Sequence, residues 1–203
     1  MTSIVYKKTY DAPPIDRREA LRYAGVRGES IEAEQLLDEC IKETADKFAY
    51  KLSYAEYPLT RVENRLDFTF ASVESRKLTE HLSGCESVII FGATIGISID
   101  RLISKYSRIS PAKALILQGL GAERIEALCD RFCEEQKALK MQHGMLLTSR
   151  FSAGYGDLSL DFQEEIFRAL DLSRGIGITL GENLIMSPVK SVTAIIGIKK
   201  ETK

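Results

Sequence analysis

Histidine occurs only twice in this 203-residue chain, as His81 and His143, and neither has helical ligand spacing to another histidine. The four cysteines, Cys40, Cys85, Cys129 and Cys133, are few and irregularly spaced, which argues against a secreted disulfide framework. Cys129 and Cys133 lie one helical turn apart, but no second close pair accompanies them, so all four read as buried small hydrophobes rather than redox or metal-binding groups. There is no HExxH, no Walker motif, no paired-cysteine redox motif and no Ser-His-Asp order in a supporting context. The chain is therefore expected to bind and position a reactive molecule without supplying acid, base or nucleophile.

Charge of one sign is lacking too. The formal net charge is -1, which gives no electrostatic footprint for nucleic acid or an anionic membrane surface. The strongest apolar runs, Val88 to Phe91 and Ala114 to Leu117, are far short of the roughly 20 residues that cross a bilayer. The opening residues lack the charged-then-apolar order of a signal peptide, and a cytoplasmic protein is expected. No linker rich in proline, glycine or serine interrupts the chain, and there is no internal repeat.

What is present is ordinary for a globular protein: 44% hydrophobic and 28% charged residues, in a length at the upper end of one domain. Patterning predicts strands over 4–10, 52–59, 65–70, 87–93, 145–150, 176–180 and 191–198, with Thr60 to Asn64 as a hairpin connection. Helices are predicted over 16–23, from Ser30 through Phe48, over 75–82, 97–106 and 162–170, and from the Ser110-Pro111 start to about Lys140. Helices and strands mix without strict alternation, which predicts an α+β fold: a mixed, mostly antiparallel sheet packed with helices. Residues 1–84 form an N-terminal helical and strand portion and 85–203 a core, together one compact unit. Gly119 and Gly121 inside the long helix predict close approach of another backbone or a ligand. Gly92 to Gly96, between a buried strand and a helix, reads as a tight turn.

The candidate site is Arg150-Phe151-Ser152-Ala153-Gly154-Tyr155-Gly156. A guanidinium matches a carboxylate in two hydrogen bonds. Gly154 and Gly156 let the backbone approach a ligand closely, and Tyr155 offers a ring to cover an apolar one. Within the long helix, Glu123 or Glu126 would receive an ammonium group if its side chain points inward; an exposed helical carboxylate is the alternative.

The run Arg150-x-x-x-Gly154-Tyr155, then Asp161, then Gly177-x-Thr179-Leu180-x-Glu182-x-x-x-Met186-x-Pro188-x-x-Ser191-Val192, resembles the C-terminal activation domain of cobalamin-dependent methionine synthase. Cys85 to Gly96 looks like the segment found in short, stand-alone forms of that domain. The resemblance implies an activation-domain-like fold and binding of S-adenosylmethionine, whose methyl group is presented for reductive methylation of cob(II)alamin held on a partner chain. It implies a cobalamin-binding methionine synthase or related corrinoid protein as partner, and a flavodoxin or ferredoxin-like electron donor. It places Arg150 on the methionine carboxylate, Ser152, Ala153, Gly154, Tyr155 and Gly156 along the ligand, and Glu126 at a ligand-binding helical glutamate; no catalytic or metal residue is implied. Three features of the family are altered: a tyrosine after the Ser-Val pair is Ile195 or Ile196 here, a Thr-Glu-Ser is Gly181-Glu182-Asn183, and an N-terminal aspartate has no counterpart in residues 1–84. A corrinoid-protein interaction module that does not use S-adenosylmethionine, and an activator of another corrinoid methyltransferase, are the alternative functions.

Overall fold

The computed structural model describes residues 3–201. In chain order the elements are β1 (Tyr6–Thr9), α1 (Arg17–Tyr23), α2 (Ile31–Thr44), β2 (Lys51–Pro58), β3 (Thr60–Val62), β4 (Arg65–Asp67), β5 (Ser72–Glu74), α3 (Arg76–His81) and β6 (Cys85–Thr94). They continue with α4 (Ser98–Ile109), α5 (Pro111–Met141), β7 (Met145–Leu147), α6 (Phe162–Leu170), α7 (Leu172–Ile176), β8 (Thr179–Leu180), β9 (Met186–Ser187) and β10 (Ser191–Lys200). The main sheet has five strands in the order β1-β2-β6-β10-β7, and every pairing in it is antiparallel. The fold is α+β, as the unalternating pattern of elements predicts.

β6 lies at the centre, and its unbroken apolar run follows from burial on both faces. Ile89, Phe91 and Ala93 join a core with Leu37 of α2 and Leu117, Leu120 and Phe132 of α5. Val88 and Ile90 point the other way, into a second core with Leu78 of α3, Ile166 and Leu170 of α6, Leu66 of the small β3-β4-β5 sheet and Phe68 just after β4. The period of two along a strand is what sorts neighbours into opposite cores. Asp16, Ser30 and Ser75 cap α1, α2 and α3, each accepting from a backbone N–H three residues on.

Several local expectations change; the helix expected through Phe48 ends at Thr44, and the 145–150 strand ends at Leu147. Thr60 to Asn64 is not simply a connection: Thr60–Val62 pairs with β4, and the chain reverses at Glu63, whose φ is +53°. The strand expected to reach Phe70 stops at Asp67, because the Asp67 carboxylate accepts from the Thr69 N–H at 2.8 Å and holds a turn with φ +68° at Thr69. The 176–180 strand shrinks to Thr179–Leu180, since residues up to Ile176 complete α7 and Gly177 ends it with φ +78°. The loop expected from Gly92 starts only after Thr94, where Gly96 turns with φ +87°; Gly92 lies within β6, and a Cβ there would come within 2.7 Å of the Leu172 side chain.

α5 bears two features that tie the N-terminal segment down. At Gly119 an added Cβ would lie 2.3 Å from the Ala20 carbonyl oxygen and 2.6 Å from the Ala24 nitrogen, so α1 rests directly on the α5 backbone. One turn later, the buried Glu123 and Arg124 form an ion pair. Arg124 also donates to the carbonyls of Pro13 and Pro14, at 2.5 and 2.6 Å, and Glu123 accepts from the Asp16 N–H at 3.1 Å. Pro13 is buried and Pro14 exposed, so the guanidinium ties down a segment whose prolines offer no N–H of their own.

Gly119→Ala is expected to destabilise the protein. The gain of about 1 kcal/mol in helix propensity is outweighed because the obstructing atoms are backbone; a net loss of about 1–3 kcal/mol, typical of overpacking, should appear as a lower urea midpoint at unchanged slope. Glu123→Ala should cost about 3–5 kcal/mol in the same measurement, because it strands a buried guanidinium.

Candidate functional site

Between β7 and α6 the chain runs along the edge of the main sheet. Phe151 exchanges two hydrogen bonds with Ile195 of β10, at 2.9 and 2.8 Å, and the Ser152 hydroxyl donates to the Thr193 carbonyl at 2.9 Å. With this register fixed, Phe151 enters the second core and Arg150 turns towards α5. A tight turn follows, closed by Gly154 N–H to the Leu158 carbonyl at 2.9 Å and Tyr155 N–H to the Ser152 carbonyl at 3.2 Å. Gly154 and Gly156 have φ of +84° and +63°, a region that favours glycine. Asp157 then binds the start of α3, accepting from the Ser75 hydroxyl and from the Arg76 and Lys77 N–H groups. The Ser75 bond, with the backbone donors, holds its carboxyl below the usual range. Tyr155 projects outward, 68% exposed, with its ring edge-on to Phe151 at 5.3 Å.

On α5, Glu126, Cys129, Asp130 and Cys133 recur at helical spacing and surround the guanidinium of Arg150. Its Nη2 donates to Glu126 Oε2 at 2.8 Å and to Asp130 Oδ1 at 2.9 Å. Its Nη1 is buried and has no hydrogen-bond partner. Of the two glutamates weighed in the sequence, Glu123 is consumed by Arg124 and Asp16, whereas Glu126 meets Arg150.

A cleft of about 620 Å³ adjoins this edge, lined by Lys77, Glu80 and His81 of α3 and by Ser149 to Ser152 and Tyr155. His81 Nε2 lies 2.9 Å from the Ser149 carbonyl and must carry the proton in that bond, and its ring rests 5.2 Å from Phe151. Beyond Ser152 and Ala153 lies a second hollow of about 330 Å³, between Gln163 of α6 and the Leu184 to Val189 loop. Ser152 borders both, so the candidate stretch forms the ridge between two concavities.

The structure brings Glu126 to the Arg150 guanidinium on the α5 side, whereas Ser152, Ala153 and Tyr155 line the hollows; Glu126, Gly154 and Gly156 line neither of them. The downstream motif residues mostly build the wall. Asp161 starts α6, Met186 pairs in the β8–β9 hairpin, and Ser191 donates within a cluster containing Thr94 Oγ1 at 2.9 Å and the Pro188 carbonyl at 2.7 Å. Ile195 and Ile196 are buried on opposite faces of β10, so neither reaches the cleft. Asp130 and His81 stand beside the site although no motif marks them. Asp130 carried a signal, four residues after Glu126 on a helix; His81 carried none, since its partner Ser149 is 68 residues away.

Burial pushes the Cys133 thiol up to about 11 and raises that of Cys129 further. Cys40 is likewise raised to about 11, and Cys85 is raised, both by burial. The thiolate is the reactive form, so iodoacetamide at pH 7.5 should label the native protein far more slowly than a free cysteine. Mass spectrometry should find four labels only after unfolding, matching the four cysteines.

No protein-family model matches this chain, and no curated protein does. Among solved structures, the MetH reactivation domain in a crystal structure bound to AdoHcy superposes with a TM-score of 0.74, covering 98% of this chain and 79% of that one at 13% sequence identity. The chain therefore has the fold of the MetH reactivation domain, reached with little sequence in common.

Proposed function

We propose that this chain is a reactivation-type module. It binds S-adenosylmethionine along Arg150 to Gly156 and Glu126 and serves a corrinoid carried by a separate, cobalamin-dependent methionine synthase in the cytoplasm, with a flavodoxin or ferredoxin-like protein as electron donor. The observation that carries this reading is the buried, unpartnered Nη1 of Arg150, at the sheet edge of a fold whose solved counterpart holds AdoHcy. A buried donor without a partner costs about 1–3 kcal/mol, more when charged, and a ligand carboxylate brought against the guanidinium would satisfy it.

In this reading Arg150 holds the ligand carboxylate, Glu126 accepts its ammonium group, and Tyr155 covers the flat ring. The bound sulfonium supplies an already activated methyl group, so no acid or base is required of the protein. The chain contributes position and electrostatics.

A second reading has its own support. Glu126 and Asp130 already neutralise Arg150, as they would in an interaction module that engages a corrinoid protein without S-adenosylmethionine. Isothermal titration separates the two. S-adenosylmethionine and S-adenosylhomocysteine should bind the wild-type chain, and Arg150→Ala should lose roughly 1.5–3 kcal/mol, the value of a charged hydrogen bond. No heat with the chain alone, and none after adding a cobalamin-loaded synthase, would favour the second reading. A methionine synthase lacking an activation domain, encoded beside this chain, would support the first; another corrinoid methyltransferase there would name a different partner.

A further inference from the structure

Resting on the reading that Arg150 receives a ligand carboxylate, we propose that Asp130 is a specificity-determining residue, an internal competitor that the incoming carboxylate displaces. Carboxylates bind guanidinium groups best as a fork, with two parallel N–H···O bonds. In this structure only one half of the Arg150 fork is unpaired, and that half is buried. Nη1 has no partner, whereas Nη2 is shared between Glu126 at 2.8 Å and Asp130 at 2.9 Å. A ligand carboxylate can bridge Nη1 and Nη2 only if one of these acids lets go.

The two acids are not equivalent. The Asp130 side chain is 64% exposed and that of Glu126 39%, so Asp130 recovers more hydration on release. Asp130 has no other hydrogen-bond partner to give up, and its release leaves Glu126 beside the fork, placed to accept the ligand's ammonium group. Asp130 thereby sets a threshold. A ligand bearing a carboxylate can replace it on Arg150, and one without a carboxylate gains nothing from its departure.

The test is equilibrium binding to the full chain of three probes: S-adenosylmethionine, S-adenosylhomocysteine, and 5′-methylthioadenosine, which has no carboxylate. Asp130→Ala is expected to tighten the first two about two- to five-fold, the range given by exposed ion pairs, and to leave 5′-methylthioadenosine unchanged. Alanine suits this exposed helical position, and Asp130→Asn, which weakens the competitor while keeping its shape, should give a smaller gain in the same direction. Glu134→Ala, which removes an equal charge one turn further along α5 from an exposed residue, controls for the general field and should change nothing.

Unchanged or weaker S-adenosylmethionine binding by Asp130→Ala would overturn the proposal, as would an equal gain for 5′-methylthioadenosine or in Glu134→Ala. Those results leave the S-adenosylmethionine reading standing whenever the wild type binds and Arg150→Ala does not. Absence of binding in both the wild type and Asp130→Ala would instead remove the reading itself, and the proposal with it.

Discussion

The buried pairing of Glu123 with Arg124 sets how α5 is turned about its own axis, and most of the molecule is arranged around that choice. A charged pair this deep is tolerated only with its remaining hydrogen bonds satisfied, and those come from Pro13, Pro14 and Asp16. The helix therefore cannot rotate without stranding a guanidinium and exposing the segment that leads into α1. Seven residues are close to two helical turns, so Glu123 and Asp130 share a stripe of α5, with Glu126 beside them. The rotation that commits Glu123 to the N-terminal strap also turns Glu126 and Asp130 to Arg150.

The same helix accepts close neighbours where its sequence is small. Gly119 lets α1 touch the helix backbone, and Gly121 makes room for the Lys190 side chain and Ile99. The candidate site is thus anchored from two directions. α5 supplies the acids, and β10 supplies the register that places Arg150, through Phe151 and Ile195. Neither element alone would hold the guanidinium where it meets both acids.

Most of the elements are readable because their signals are local. Apolar β-rich stretches give β2 and β10, the continuous apolar run gives β6, and Ser30 and Pro111 mark helix starts that the structure keeps. The misread segments are those where a side chain or a glycine overrides the pattern. The Asp67 turn cuts a strand short, and Gly177 ends a helix where apolar residues suggested a strand. The small strands β5 and β9 are too short for periodicity to register.

In the candidate site, the amino-acid sequence by itself determined the α+β class, the glycine turn after Arg150 and the residue types needed to hold a zwitterion with a flat ring. These depend on spacings of a few residues, which the covalent chain transmits directly. Only the tertiary structure decided which acids meet Arg150, that Glu123 is spent on Arg124, and that one guanidinium nitrogen is left buried and unpaired. Those outcomes depend on the rotation of α5 and the register of β10, which packing fixes across 20 or more residues of intervening chain.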